Sequence, residues 1–395
     1  MNVRHTAPTA LLAALLTTCP AIALAQDTDA PAQTSASDAP AAVDAIAAKA
    51  LEQPNIAGIG IARIEDGAVV WTGYWGEQSP GVPVTEQTAF NTASVAKTII
   101  AETVLRLADQ GKMSLDDPIV DHYSHPDLSK DARYGLLTPR ILLSHLAALK
   151  NWPWLYEDNR LAFIADPGLG EVSYSSAGIE IVMRYLKARF AKTNPELARE
   201  VVFDPLGVEG VTAAREAWLD GRVVSEPRGG DGTVYPPFTR SGDENLIEPG
   251  AYSAADNQYA TVPGYARLLV KLIEGDGLSA GMIAQRQNLM SSSDTELGFA
   301  CIAAPADCPE PIGYGVGWGI FGEPTRTVLN HGGNGSAAHA QVYFIPETRE
   351  GLVLFMNGGN AFPTGINLIL AIDPELRMAK HSDALIKKMR EQQAE

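Results

Sequence analysis

The sequence predicts an α+β fold, because strand-patterned segments near both ends enclose a middle that is mostly helix-period and loop. Residues 56–64 and 69–75 are alternating apolar segments separated by Glu65-Asp66-Gly67, a hairpin pattern. Residues 338–345 and 351–356 form a second pair around Pro346-Glu347-Thr348. Between the two pairs, residues 98–109, 179–190 and 265–273 carry apolar side chains at helical spacing. Terminal strands around a helical centre define the α+β class, with no sign of an internal repeat.

The elements follow in chain order. Arg4 and His5, the apolar run 11–16 and Ala23-Leu24-Ala25 before Gln26 fit a secretory signal over residues 1–25, cleaved after Ala25. The run is too short to span a bilayer, so the mature chain is expected to lack a transmembrane segment. Lipidation at Cys19 is the weaker reading, because Thr18 is a poor small residue before a lipidated cysteine and Pro20 follows it. Residues 26–42, rich in Ala, Asp, Thr, Ser and Pro, read as a disordered spacer. The helix expected over 43–52 opens a catalytic domain over 43–375, and residues 376–395 read as a C-terminal helical tail.

The net charge of −17 is spread along the chain, and the only basic block is Lys387-Lys388. Nucleic acid and anionic membranes are therefore disfavoured as partners. Loss of the signal leaves Cys301 and Cys308, an even pair that fits a periplasmic or secreted protein and is bridged or free. His122 and His125, near Asp121 and Asp127, lie in a turn-rich stretch and make no convincing metal cluster.

Chemistry enters at Ser94-Val95-Ala96-Lys97. Residues at i and i+3 share a helix face, so a hydroxyl and an amine stand side by side at the start of the helix that ends at Gln110-Gly111. First-turn N–H groups and the positive helix end stabilise an oxyanion there, and Lys97 can take or relay the proton of the attacking hydroxyl.

Six segments then occur in a fixed order: FNTASVAKTIIAETVLRLADQGKMSLDD (90–117), LTPRILLSHLAAL (137–149), PGLGEVSYSSAG (167–178), FDPLGV (203–208), YGVGW (314–318) and HGGNGSAAH (331–339). Together they resemble the serine beta-lactamase and penicillin-binding-protein superfamily, class C branch, over roughly residues 43 to 375. The resemblance implies one antiparallel sheet flanked by terminal helices, an inserted helical lobe and an active site between lobes. It implies Ser94 as nucleophile, with Tyr174 and Lys97 as a general-base pair that shares one proton. The oxyanion would be held by the N–H of Ser94 and by that of Asn334 in the strand after His331-Gly332-Gly333. Gly333 would let that edge backbone approach the substrate. His145, in the segment resembling "LLxHxSGL", reads as a buried, hydrogen-bonded histidine rather than a base. No cofactor or metal is called for.

Two departures bear on substrate. Ser176 stands where the Tyr-x-Asn segment has its amide, and it lacks the NH₂ donor. His331-Gly332-Gly333 replaces Lys-Thr-Gly, and a histidine is mostly neutral at pH 7. Both weaken recognition of a carboxylate-bearing amide and leave acylation intact, which favours a small-molecule ester as substrate. A peptidoglycan fragment or other D-amino-acid peptide, or a slowly cleaved beta-lactam, is the second expectation, and a degenerate binding protein the third. Ala147-Ala148 in place of Ser-Gly puts the following loop in question. That loop, with Trp152, Trp154 and Tyr156, forms either an apolar wall or a self-packed surface, and residues 226–250 are a second candidate rim.

Overall fold

A computed structural model describes residues 39–169, 172–214, 216–228, 233–235, 258–292, 308–335 and 337–394. Among them nine strands form one sheet: β1 (Ile56–Glu65), β2 (Ala68–Ser79), β3 (Val82–Pro83), β4 (Ser291–Ser292), β5 (Ile312–Tyr314), β6 (Gly319–Gly322), β7 (Thr327–Asn334), β8 (His339–Ile345) and β9 (Glu350–Gly358). Their order is β3-β2-β1-β9-β8-β7-β6-β5-β4, antiparallel throughout. The two sequence-distant strand pairs meet where β1 lies on β9, with Ile61 opposite Leu354. The first hairpin turns on Asp66 (φ 51°) and Gly67 (φ 78°), two left-handed residues that match the twist of the flanking strands.

Helices cover both faces of the sheet: α1 (Ala41–Ala50), α2 (Ala96–Asp109), α3 (Ser176–Phe190), α4 (Val262–Glu274), α5 (Ala280–Gln287), α6 (Phe362–Ile372) and α7 (Arg377–Ala394). Side chains alternate across a strand, so Tyr343, Leu352, Leu354 and Met356 pack with α1, α6 and α7. Val342, Phe344, Val353 and Phe355 face the other core, which contains α2, α3 and α4. Burial on both faces explains why 351–356 reads as one unbroken apolar run.

The helix after Ser94 differs from expectation. An apolar stripe at Ile99, Val104, Leu105 and Leu107 predicts a helix with a wet face, whereas α2 is buried from Ala96 to Leu107 all the way round. Its polar groups are paired inside the protein instead. The Thr98 hydroxyl bonds the Val95 carbonyl (2.8 Å) and the Tyr265 hydroxyl (2.6 Å). Glu102, fully buried, receives Arg106, Arg286 of α5 (3.4 Å) and the Trp318 indole N–H (3.1 Å). Gly317, within YGVGW, has φ 78°, and a Cβ there would lie 2.0 Å from the Ala101 Cβ. The glycine is what lets the β5–β6 turn seat against α2.

A small sheet of Ala89–Asn91, Tyr259–Thr261 and Val211–Thr212 delivers the chain to the turn before α2. Of the 226–250 rim, Glu226–Arg228 and Thr233–Tyr235 pair as a ribbon, and the rest lies outside the described residues. Residues 1–38 and Cys301 also lie outside them. Cys308 is disulfide-bonded.

Candidate active site

Ser94 lies in the 3₁₀ turn Ala93–Val95, which runs directly into α2. The turn is held in an unusual backbone state: Ala93 has φ 45°, left-handed for a residue with a Cβ. Its N–H donates to Asn91 Oδ1 (2.8 Å), and the Thr92 N–H donates to the Gln258 carbonyl (3.0 Å). One turn on, Lys97 Nζ donates to Ser94 Oγ at 2.8 Å, and the lysine is 1% exposed. The Tyr174 ring lies with its centroid 5.3 Å from Lys97 Nζ. Tyr174 belongs to an aromatic cluster with His145 (4.4 Å between centroids), Tyr314 (6.1 Å) and His331 (6.4 Å). Residues far apart in sequence thus gather beside the Ser94–Lys97 pair.

The edge of β7 passes directly over this turn. A Cβ on Gly333 would sit 2.4 Å from the Thr92 carbonyl oxygen and 3.0 Å from the Ser94 nitrogen, so only glycine permits the approach. The Gly335 N–H bonds the Ala338 carbonyl (2.8 Å), and Asn330 is opposite Gly319 of β6. Antiparallel alternation then turns the N–H groups of Gly332 and Asn334 away from β8, on the stretch of β7 that β6 does not reach. The open edge therefore runs beside the Ser94 nitrogen.

The histidines are neutral. Burial, reinforced by the charge of Lys97, pushes His331 down to about 3, and its Nδ1 lies 2.8 Å from the Gly332 carbonyl. Burial pushes His339 down to about 4, with Nδ1 2.7 Å from Asn334 Oδ1. His145 is shifted well below its ordinary value by burial and Lys97, and its Nδ1 accepts the Ser175 N–H at 3.2 Å. Burial, then the neighbouring Tyr174, raises Tyr314 well above the usual phenol range. Unfolded histidines bind protons near 6.5, whereas folded His331 and His339 do so only near 3 and 4. The unfolded state therefore binds more protons across that window, and stability falls as pH drops through it. The melting temperature is expected to decline between pH 7 and pH 5, less steeply in His339→Gln; equal slopes in the two proteins would contradict this.

A cavity of about 390 Å³ opens at Ser94, Tyr174 and Tyr314 and runs past Gly332 and Asn334. Beyond the strand its walls are Phe321, Phe362, Ile366, Met378 and Leu385, with Asn330 and Gln341 hydrogen-bonded to each other (2.7 Å). The C-terminal helix α7, read from sequence as a tail, thus contributes to the walls. Ser176 is placed differently from Tyr174: it is buried at the first position of α3 and does not line the cavity. Asn151, from the aromatic loop that the sequence offers as a wall of the site, does line it, through a polar side chain rather than an aromatic one. The aromatic loop packs on itself, with Trp152 and Trp154 stacked at 4.8 Å and the Tyr156 hydroxyl bonded to the Lys150 N–H and the Ala162 carbonyl. Among the described residues no group of three His, Cys, Asp or Glu could hold a metal ion.

These features define a serine hydrolase with a Ser-x-x-Lys turn set against a sheet edge. The Beta-lactamase family model matches residues 43–372, and the chain belongs to that family. It is 26% identical over 298 residues to penicillin-binding protein 4 of Amycolatopsis lactamdurans, covering 71% of this chain and 75% of the relative. It is 32% identical over 116 residues to esterase EstB of Burkholderia gladioli, covering 28% and 29% respectively. The octameric penicillin-binding-protein homologue of Pyrococcus abyssi has the same fold, with a TM-score of 0.67 at 18% identity over 84% of this chain and 76% of the other.

Proposed function

We propose that this protein is an exported hydrolase that cleaves carboxylic esters through an acyl-enzyme on Ser94. The observation that carries the reading is the 2.8 Å hydrogen bond between Lys97 Nζ and Ser94 Oγ at the mouth of a cavity that has polar groups around the serine and an apolar wall of Phe321, Phe362, Ile366, Met378 and Leu385. In the forward step Ser94 Oγ attacks the ester carbonyl carbon while its proton passes to the Lys97–Tyr174 pair. The carbonyl oxygen, now negative, takes hydrogen bonds from the N–H groups of Ser94 and Asn334. The carbonyl re-forms, the C–O bond to the alcohol breaks, and the same pair returns the proton to the departing alkoxide. Water then repeats the sequence on the acyl-enzyme, releasing the carboxylic acid and restoring the Ser94 hydroxyl.

Two features favour an ester over a carboxylate-bearing amide. His331, at the position where the resembling motif has lysine, is neutral and buried, so it offers no cation to a substrate carboxylate. Phe321, Phe362, Ile366 and Leu385 suit an apolar acyl or alkoxy group instead. Export is supported by the signal-like residues 1–25 and by the disulfide at Cys308, which suits an oxidising compartment. The N-terminal sequence of protein from the periplasmic fraction, expected to begin at Gln26, checks that part.

The substrate class is tested by comparing p-nitrophenyl butyrate, an acylated D-Ala-D-Ala peptide and a chromogenic cephalosporin. We expect kcat/KM for the ester to exceed that for either amide by about 10³-fold or more, reflecting the missing carboxylate anchor and the better leaving group. D-alanine release at a comparable kcat/KM would replace the ester reading with a peptidase.

A further inference from the structure

The Tyr174-Ser175-Ser176 run carries no side-chain amide, yet an amide does reach the cavity beside Tyr174. It belongs to Asn151, 25 residues before Ser176, in the loop after His145. Asn151 is fastened to the start of α3 by two bonds. Its Oδ1 accepts the Ser176 N–H at 2.8 Å, and its backbone carbonyl accepts the Ala177 N–H at 3.0 Å. These are N–H groups at the end of a helix, which need outside acceptors and find them here in a single residue. Because the partner is a donor, the oxygen of the amide must face the helix, and the NH₂ is turned the other way. Among the described residues that NH₂ donates no hydrogen bond to protein.

We infer that Asn151 is a substrate-contact residue, whose Nδ2 donates to an acceptor oxygen carried by the acyl part of the substrate near the scissile bond. The inference rests on the Ser94 acyl-enzyme reading above and adds a preference to it. Esters of N-acylated amino acids, or of other acids with a carbonyl or ether oxygen close to the carboxyl group, are preferred over plain alkanoates. A donor held by a helix end is already oriented, so little entropy is lost when it engages the substrate. Ser176 supplies the N–H that orients the amide and does not itself reach the cavity.

The test compares p-nitrophenyl N-acetylalaninate with p-nitrophenyl butyrate in wild-type protein, Asn151→Asp and Asn151→Ser. Aspartate keeps an oxygen for the Ser176 N–H and loses the NH₂ donor. The kcat/KM ratio of the acetylalaninate to the butyrate is expected to fall about tenfold in Asn151→Asp, the scale of one hydrogen bond. Asn151→Ser lowers it similarly. A loss of loop packing alone would lower both esters together and leave the ratio unchanged, which overturns the inference. So does an unchanged ratio in Asn151→Ser, should the aspartate variant not fold. Fluorophosphonate labelling of each protein separates the two layers. Labelled Ser94 with an unchanged ratio removes only the role of Asn151, whereas wild-type protein that neither labels nor cleaves either ester removes the acyl-enzyme reading and this inference with it.

Discussion

Ser94→Ala is expected to lower ester turnover by about 10⁵-fold or more while leaving the melting curve in place. The size follows from the role proposed for the hydroxyl: with it gone no covalent intermediate would form, and only the N–H groups proposed to polarise the carbonyl would remain. Alanine at 94 fits, since Oγ faces the cavity and is bonded to Lys97 rather than packed in the core. Lys97→Met, of similar length, keeps the buried volume and removes the amine. It is expected to cost about 10²–10⁴-fold in kcat, the range of a general base, with a smaller effect on KM. Steady-state kinetics with p-nitrophenyl butyrate reads both. Ester hydrolysis persisting in Ser94→Ala at more than a few per cent of the wild-type rate would mean that another group attacks.

The largest effect on stability is expected away from the chemistry, at Glu102. This carboxylate is fully buried, and Arg106 and Arg286, each 1% exposed, reach it along with the Trp318 indole. Burial alone would raise its pKa, but the charges of Arg286 and Arg106 and the hydrogen bonds from Arg106 and Trp318 hold it below the ordinary value of 4.5. Glu102→Ala leaves two guanidinium groups in the interior without their counter-charge. The expected loss is about 3–5 kcal/mol, a large share of the stability of an ordinary domain. Urea unfolding of the two proteins measures it, and a loss below about 1 kcal/mol would show that the arginines find other acceptors. The sign of the pH effect also follows. The carboxylate contributes fully above its unfolded value and progressively less as pH falls through its lower folded value, so Glu102→Gln flattens the acid limb of the stability curve.

The elements that could be read from the sequence are those whose signal is local. The strands at 56–64 and 351–356 show because short apolar segments end at turn residues, and the Asp66-Gly67 turn shows because both positions need left-handed backbone. The closeness of Ser94 and Lys97 follows from helical spacing alone. What was not legible depends on contacts between distant segments. Glu102 and Arg106 read as the wet face of an amphipathic helix, because Arg286 and Trp318, which make their burial tolerable, lie at least 180 residues away. Asn151 carried no signal of its own, since its orientation comes from the end of α3. Likewise α7 reads as a tail until Met378 and Leu385 are seen to wall the cavity behind β7. The glycines fall between these cases: their positions in YGVGW and HGG were plain, while their reasons, Ala101 under Gly317 and the Ser94 turn under Gly333, required the packing.

The central claim, an activated serine at 94, is tested most directly by mass spectrometry. Mature protein and Ser94→Ala are treated with a fluorophosphonate, their intact masses recorded and the adduct mapped by peptide. A single adduct on the peptide containing Ser94, absent from the alanine variant, is the predicted result. No adduct on folded wild-type protein, or an adduct that persists in Ser94→Ala, would contradict the account.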